Sequence, residues 1–393
     1  MADRSTQLSL PGINRCLGCG ACVASCAFGA IRMESDEEGF QQVVVNRPKC
    51  VGCGRCVSVC PINNVKSPIS PLWVGGVYAK DDALRRESSS GGVFSLMAEK
   101  ILDSGGCVWG AALNQEMKVT HVEIRRSADL FLLRGSKYVQ SDMTKVFSGI
   151  GERLKENRQV LFSGTPCQVA AIKQFIGDDP RLISVDVICF GVPSPLAWSV
   201  YRRDCEKKFG SRIVGVRFRD KSNGWGYNMR IDFESGESIL QPFAENYYLK
   251  GFLGGLYNRR SCSMCPMRNQ RSQSDVTIGD FWGVSELFPE FNGRQGVSLV
   301  LANTQKGYAF VRNMLDGGTC VYRETTYEVA VKYNSSLVSI ASPHVHRARF
   351  MRHLKEGLFD YGEITPSFWR RLLGFASRCI KHGVCAKGSK ECS

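Results

Sequence analysis

From residue 77 onward, short apolar runs alternate with longer stretches of helical period. Residues 77–80 read as a short strand. Val93, Phe94, Met97, Ala98, Ile101 and Leu102 recur at helical spacing and predict a helix over 91–103. Ser88-Ser89-Ser90 stand before it as capping residues, and Gly105-Gly106 end it. Strands follow at 107–113 and 119–125. A helix at 149–157 leads into a strand at 159–163, the turn Gly164-Thr165-Pro166-Cys167 and a helix at 168–176. Residues 182–189 form an apolar strand. This β–turn–α rhythm predicts an α/β domain. Past Pro195 the pattern becomes α+β, with a helix at 196–209 and strands at 213–219, 227–233 and 298–303. Residues 368–380 are basic and amphipathic, with Trp369, Leu372, Leu373, Ala376 and Ile380 on one face. A helix docked on its own protein is expected there, a membrane-surface helix being the alternative.

The first 66 residues have a different texture. Two four-cysteine runs repeat: Cys16-x-x-Cys19-x-x-Cys22-x-x-x-Cys26 and Cys50-x-x-Cys53-x-x-Cys56-x-x-x-Cys60-Pro61. This is the spacing of bacterial two-cluster ferredoxins, where the fourth cysteine of each run serves the other cube. One 4Fe–4S cluster is therefore expected on Cys16, Cys19, Cys22 and Cys60, and a second on Cys50, Cys53, Cys56 and Cys26. Gly18, Gly20, Gly52 and Gly54 let the backbone close around each cube. Structural zinc pairs two Cys-x-x-Cys knuckles and needs only four ligands, so it does not account for eight cysteines in two identical runs. Ala27 stands where a proline usually follows the fourth cysteine; no ligand is lost by it.

Composition narrows the picture. The chain has 393 residues, 43% hydrophobic and 22% charged, as an ordinary globular protein has. No apolar run reaches membrane-span length, and Met1 to Thr6 carry no signal-peptide core, so a cytoplasmic location is expected. Eighteen cysteines without an export signal point to metal or redox chemistry rather than disulfides. The net charge of +14 comes from basic residues spread along the chain, which argues against nucleic acid. Each cube with its four thiolates carries about −2 and offsets part of it. The remainder suits docking of an acidic electron donor or acceptor protein such as a ferredoxin, or simply a soluble surface.

Four later cysteines, Cys167, Cys189, Cys262 and Cys265, are enough for a third cube, or Cys167 and Cys189 are small buried hydrophobes. Ser88-Ser89-Ser90-Gly91-Gly92 before a helix could receive a dinucleotide pyrophosphate, or merely cap the helix. Arg134-Gly135-Ser136-Lys137-Tyr138 is a second basic, hydroxyl-bearing loop. No Gly-x-Gly-x-x-Gly follows a strand, which argues against a standard nicotinamide fold.

Together these segments resemble the coenzyme F-420 hydrogenase/dehydrogenase beta-subunit family of iron–sulfur flavoproteins. The resemblance is carried by Glu87 to Phe94, Arg134 to Ser141, Gly164 to Gln168, Cys189 to Pro195, Phe218 to Lys221, Cys262 to Cys265 and Asp275 to Gly283, in the family's order. It implies a bound FAD and a third 4Fe–4S cluster on Cys167, Cys189, Cys262 and Cys265. It makes Ser88, Ser89, Ser90, Gly91, Gly92, Arg134, Ser136, Lys137 and Tyr138 candidate flavin contacts, and Lys137, Asp280 and Trp282 candidate catalytic residues. Phe190 stands where the family often has a histidine. The expected architecture mixes α+β and α/β: a bacterial ferredoxin-like module at 1–66, then a mixed α/β flavin-binding core. That core divides into family domains at 67–150 and 151–350, followed by a basic tail at 351–393. The expected function is an oxidoreductase passing electrons from the clusters to FAD and on to a small organic substrate, in polysaccharide biosynthesis among other settings. The alternatives are an electron-transfer subunit of a larger hydrogenase or dehydrogenase complex, and a redox sensor or interaction protein that uses its clusters structurally.

Overall fold

The computed structural model describes residues 10–361, residue 341 excepted. The amphipathic stretch 368–380 lies outside the described residues.

Each cysteine run turns on a glycine in the left-handed region. Gly20 and Gly54 take φ +81° and +74° and start the short helices Ala21–Ala24 and Arg55–Ser58. A side chain there would be strained, and the two runs consequently bend alike. Between them lies an antiparallel hairpin, β1 (Ile31–Ser35) and β2 (Gln41–Val45).

Next come β3 (Trp73–Ala79), β4 (Cys107–Leu113), β5 (Val119–Ile124), β6 (Val160–Gly164) and β7 (Leu182–Val187). A separate three-stranded antiparallel sheet follows, from β8 (Ile213–Arg217), β9 (Asn228–Phe233) and β10 (Ser238–Pro242). The chain then returns with β11 (Val276–Asp280), β12 (Ser298–Ala302) and β13 (Cys320–Glu324). The large sheet has the order β13-β3-β12-β11-β7-β6-β4-β5. Its strands come from both sides of residue 150. The centre, β4, β6, β7 and β11, is parallel, and the outer pairings are antiparallel.

The central strands read as continuous apolar runs because both faces are covered. Along β6, Val160 and Phe162 point to one core and Leu161 to the other. Helices Val93–Asp103 and Gln305–Asp316 cover the Leu161 side through Met97, Ile101, Val311 and Met314. Helices Val146–Lys155 and Pro166–Ile176 cover the other through Phe147, Ile150 and Ile172. Ala21 of the cysteine module is buried in that second core, so the module is packed onto the sheet domain.

Two local expectations need correction. The serines do not cap helix Val93–Asp103; Gly92, at φ +91°, holds the N-cap position. Ser88 donates instead to the Leu84 carbonyl and Ser90 to that of Val297. The chain passes so close to β3 that a Cβ on Gly91 would lie 2.3 Å from the Val77 carbonyl oxygen. Cys167 is not in a turn before its helix. That helix begins at Pro166, where the Gln168 side chain accepts from the Thr165 N–H at 2.9 Å, so Cys167 lies in the first turn.

Candidate functional site

None of the fifteen described cysteines is in a disulfide. Several of them stand close to one another. A small cavity of about 20 Å³, with almost wholly apolar walls, is lined by Cys16, Cys19, Cys22 and Cys60. Burial pushes the Cys22 thiol up to about 12, and the neighbouring Cys16 and Cys60 push the same way. Burial raises Cys19 too, with Cys22, Cys16 and Cys60 beside it. Cys60, from the far run, therefore stands with the first three. Cys56 is raised by burial, with Cys50 and Cys53 as its cysteine neighbours. The Cys26 sulfur accepts from the Ala30 N–H at 3.3 Å. Among the described residues no three His, Cys, Asp or Glu converge tightly enough for one metal ion. Four cysteines around one shared space, as Cys16, Cys19, Cys22 and Cys60 stand, fit a cube.

The later four converge as well. Cys167 lies in the first turn of a helix after β6, Cys189 follows β7, Cys262 lies within the turn Arg260–Met264 and Cys265 ends it. Burial pushes Cys167 up to about 11 and Cys262 up to about 12, and each is raised further by its cysteine neighbours. Cys189 is raised by burial and by Cys262, Cys167 and Cys265, while Arg268 opposes the rise. Thiols buried this deeply become thiolates when a cation such as cluster iron takes their charge.

A cavity of about 710 Å³ lies against these cysteines. Cys19, Cys167 and Cys189 line it, as does the serine loop. Ser88, Ser89, Ser90, Gly92, Arg134, Ser136, Lys137 and Tyr138 all reach its wall, as do Asp280 and Trp282; Gly91 is behind it. The two loops are fastened together, with Ser89 Oγ accepting from the Ser136 N–H at 2.8 Å. Arg134 is not a free cation, since it pairs with Glu87 and lies 3.6 Å from Glu99. Lys137 donates to the Leu132 and Arg134 carbonyls at 3.0 and 2.8 Å. Burial pushes its pKa down to about 7.

Asp280 ends β11 and pairs with Arg219 at 2.7 Å. The Arg219 guanidinium lies 4.5 Å from the Tyr227 ring centre. Trp282 stacks between Trp225 and Tyr227, with centroid separations of 4.7 and 5.5 Å. Lys221 donates to the Arg85, Ser90 and Gln295 carbonyls and so pins the serine loop. Phe190 also lines the cavity, packed edge-on against Phe252.

Trp225, Tyr227 and His121 line the cavity without having been singled out from sequence, as does Arg219, which lay in a segment carrying the resemblance but was given no role. The one signal for His121 is its place among inward positions of an alternating strand. Two polar atoms of these residues, Arg219 Nη2 and His121 Nδ1, are buried without a hydrogen-bond partner among the described residues.

Residues 157–328 match the family model described as the C terminus of the beta subunit of coenzyme F420 hydrogenase/dehydrogenase. Residues 15–64 match the 4Fe-4S dicluster domain. No curated protein matches the chain. A solved chain in the xenon-derivatised F420-reducing [NiFe] hydrogenase complex from Methanosarcina barkeri overlays with a TM-score of 0.49 at 15% identity. That overlay covers 70% of this chain and 91% of the other. Over residues 157–328 the chain is thus similar to the C terminus of the beta subunit of coenzyme F420 hydrogenase/dehydrogenase, with a stretch similar to a 4Fe-4S dicluster domain ahead of it.

Proposed function

We propose that the protein is an electron-transfer subunit that links its dicluster domain to a flavin held in the 710 Å³ cavity. The observation that carries the reading is the shared wall: Cys19 of one four-cysteine set and Cys167 and Cys189 of another line the same cavity. When bound, cubane clusters supply single-electron transfer and a flavin exchanges one- for two-electron chemistry.

The chain's own residues would act as follows. Cys16, Cys19, Cys22 and Cys60 would hold the cube nearer the cavity. Cys50, Cys53, Cys56 and Cys26 would hold the outer one, where Cys53 is exposed. Cys167, Cys189, Cys262 and Cys265 would hold a third. The fastened Ser89 and Ser136 loops would seat the pyrophosphate, and Lys221 keeps the first of them in place. The Trp225–Trp282–Tyr227 stack would exclude water from one side of the cavity. Arg219, fixed by Asp280, would set a positive charge in the cavity wall beside the guest. A subunit is preferred to a self-sufficient enzyme because the matched family is one of beta subunits.

Anaerobic purification followed by iron, sulfide and flavin analysis tests this. About twelve irons and one FAD per chain are expected, at four irons per cube. About eight irons would remove the third cluster, and absence of FAD binding would remove the flavin reading.

A further inference from the structure

Residues 61–72 join the dicluster domain to β3 and contain no helix or strand. The seat of that domain therefore depends on its contacts with the rest of the chain. In those contacts lies Glu38, in the turn between β1 and β2. Asp36 Oδ1 accepts from the N–H groups of Glu38 and Phe40, both at 2.9 Å, and Gly39 takes φ +81°. The turn lies so close to the helix Pro195–Phe209 that a Cβ on Gly39 would come within 2.6 Å of the Leu196 nitrogen. Ser194 Oγ donates to the Glu38 carbonyl. The Glu38 side chain is 8% exposed and meets two guanidiniums. Arg260 Nη2 lies 2.9 Å and Arg347 Nη1 3.0 Å from Oε1, and Arg347 Nη2 pairs with Oε2. Arg347 also donates to the Asn258 carbonyl at 2.9 Å. Burial opposes the charge on Glu38, but Arg347 and Arg260 hold its carboxyl below the ordinary pKa.

The partners of Glu38 are not scattered. Arg260 stands two residues before Cys262, and Ser194 five after Cys189. Glu38 is thus held by the two segments that carry three of the later four cysteines, and by Arg347 of the helix Arg347–Lys355. A buried ion pair is a weak source of stability, and its best-attested use is to fix one register among several. If the turn slips, a carboxylate and a guanidinium are left buried without partners, which is costly. We propose that Glu38 is a positioning residue that holds the dicluster domain in a single seat against the later cysteines, so that electrons cross between them without travel of the domain. This rests on the electron-transfer reading above.

The test uses the full chain, purified anaerobically with its clusters and FAD. A flash with a photoreductant places an electron on the clusters. Its arrival at the flavin is read by absorbance, as a first-order phase independent of photoreductant concentration. The wild-type rate should not change when sucrose raises the viscosity. Glu38→Gln keeps the size of the side chain but removes the charge. The seat is then occupied only part of the time, so the phase should slow by about ten-fold or more, and further in sucrose. Glu38→Asp keeps the charge on a shorter arm and should recover part of the rate. A purely structural Glu38 predicts a lower unfolding midpoint in Glu38→Gln with the wild-type transfer rate, and that outcome overturns the proposal. A wild-type rate that falls with viscosity overturns it without need of any variant, which keeps the test decisive should Glu38→Gln lose iron. A wild type that binds no FAD, or shows no such phase, overturns the electron-transfer reading itself, and this one with it.

Discussion

Arg259 Nε donates to the carbonyl oxygen of Cys16 across 2.9 Å, while Nη2 of the same guanidinium donates to the Gln41 carbonyl at 2.8 Å. The side chain is buried, and three residues later the chain reaches Cys262. One arginine thus ties the loop of the first cysteine set to the segment that carries half of the third. Arg259→Leu leaves two buried carbonyls without donors, a loss of about 3 kcal/mol. The expected result is faster bleaching of cluster absorbance by a chelator and a lower denaturation midpoint. Arg259→Lys keeps the charge but cannot reach both carbonyls in a fork, and should fall between. A wild-type bleaching rate in Arg259→Leu would show that the tie is dispensable.

The crossing of Cys60 to the first set makes a second prediction. Cys60→Ala should alter the cluster held by Cys16, Cys19 and Cys22 rather than the one held by its own run. Paramagnetic resonance of the reduced protein, compared with Cys22→Ala, should show the same signal lost in both. Cys262→Ala should instead lower the iron content from about twelve to about eight and leave both ferredoxin-type signals in place. Identical spectra in Cys60→Ala and Cys53→Ala would mean that the runs do not cross.

The eight N-terminal cysteines were legible because their chemistry is local: a cube's ligands at i, i+3 and i+6 need only a tight loop with glycines. The βα unit from Val160 to Ile176 was legible for the same reason, since periodicity and turn residues act over a few positions. The set of Cys167, Cys189, Cys262 and Cys265 was different. It spans 99 positions, and spacing left it open between a third cube and buried hydrophobes; the resemblance is what implied the cube. Pairing of β13 beside β3 joins Cys320 to Ala79, and no local pattern encodes such a register. Ser88 to Ser90 misled because serine before a helical run is a common cap signal. Here the left-handed Gly92 takes that place and frees the serines for the cavity and its supports. Arg219 and Asp280, 61 positions apart, could be matched only after the fold brought them together.

That pair gives a third prediction. The Arg219 side chain is 3% exposed and Asp280 12%. Breaking a buried pair from one side strands the other charge, at about 3–5 kcal/mol. Arg219→Met and Asp280→Leu should each destabilise by that order in denaturant unfolding. The double variant should recover much of the loss, because neither charge is then left alone. Strict additivity of the two effects would mean that the ion pair is not the reason they matter.

The second cysteine run carries Arg47, Lys49 and Arg55, all exposed, with Val51 between them in sequence 52% exposed. A basic rim around a small apolar centre suits an acidic electron carrier. Reversing all three to Glu should slow association with an acidic ferredoxin by about ten-fold or more at low ionic strength. The effect should fade as salt rises, since exposed charges are screened. Reduction of the clusters by dithionite should be unaffected. A rate insensitive to the reversal would place the entry point elsewhere.

Lys137 supplies the pH prediction. Its folded pKa is pushed by burial from 10.5 down to about 7. Between those values the unfolded chain holds a proton that the folded chain does not, so this group makes stability rise with pH across that window. Below about pH 7 the folded protein must carry the buried charge, and the destabilisation is complete. Near pH 10.5 both states are neutral and the effect ends. Lys137→Met removes the titration but also the bonds to the Leu132 and Arg134 carbonyls. Its stability relative to wild type should therefore be most favourable at pH 6 and decline steadily towards pH 10. Denaturant unfolding at pH 6, 8 and 10, under anaerobic conditions, reads this directly. A difference that stays level across the three would mean that the lysine keeps its proton through the window, held as an ammonium by the two carbonyls it faces.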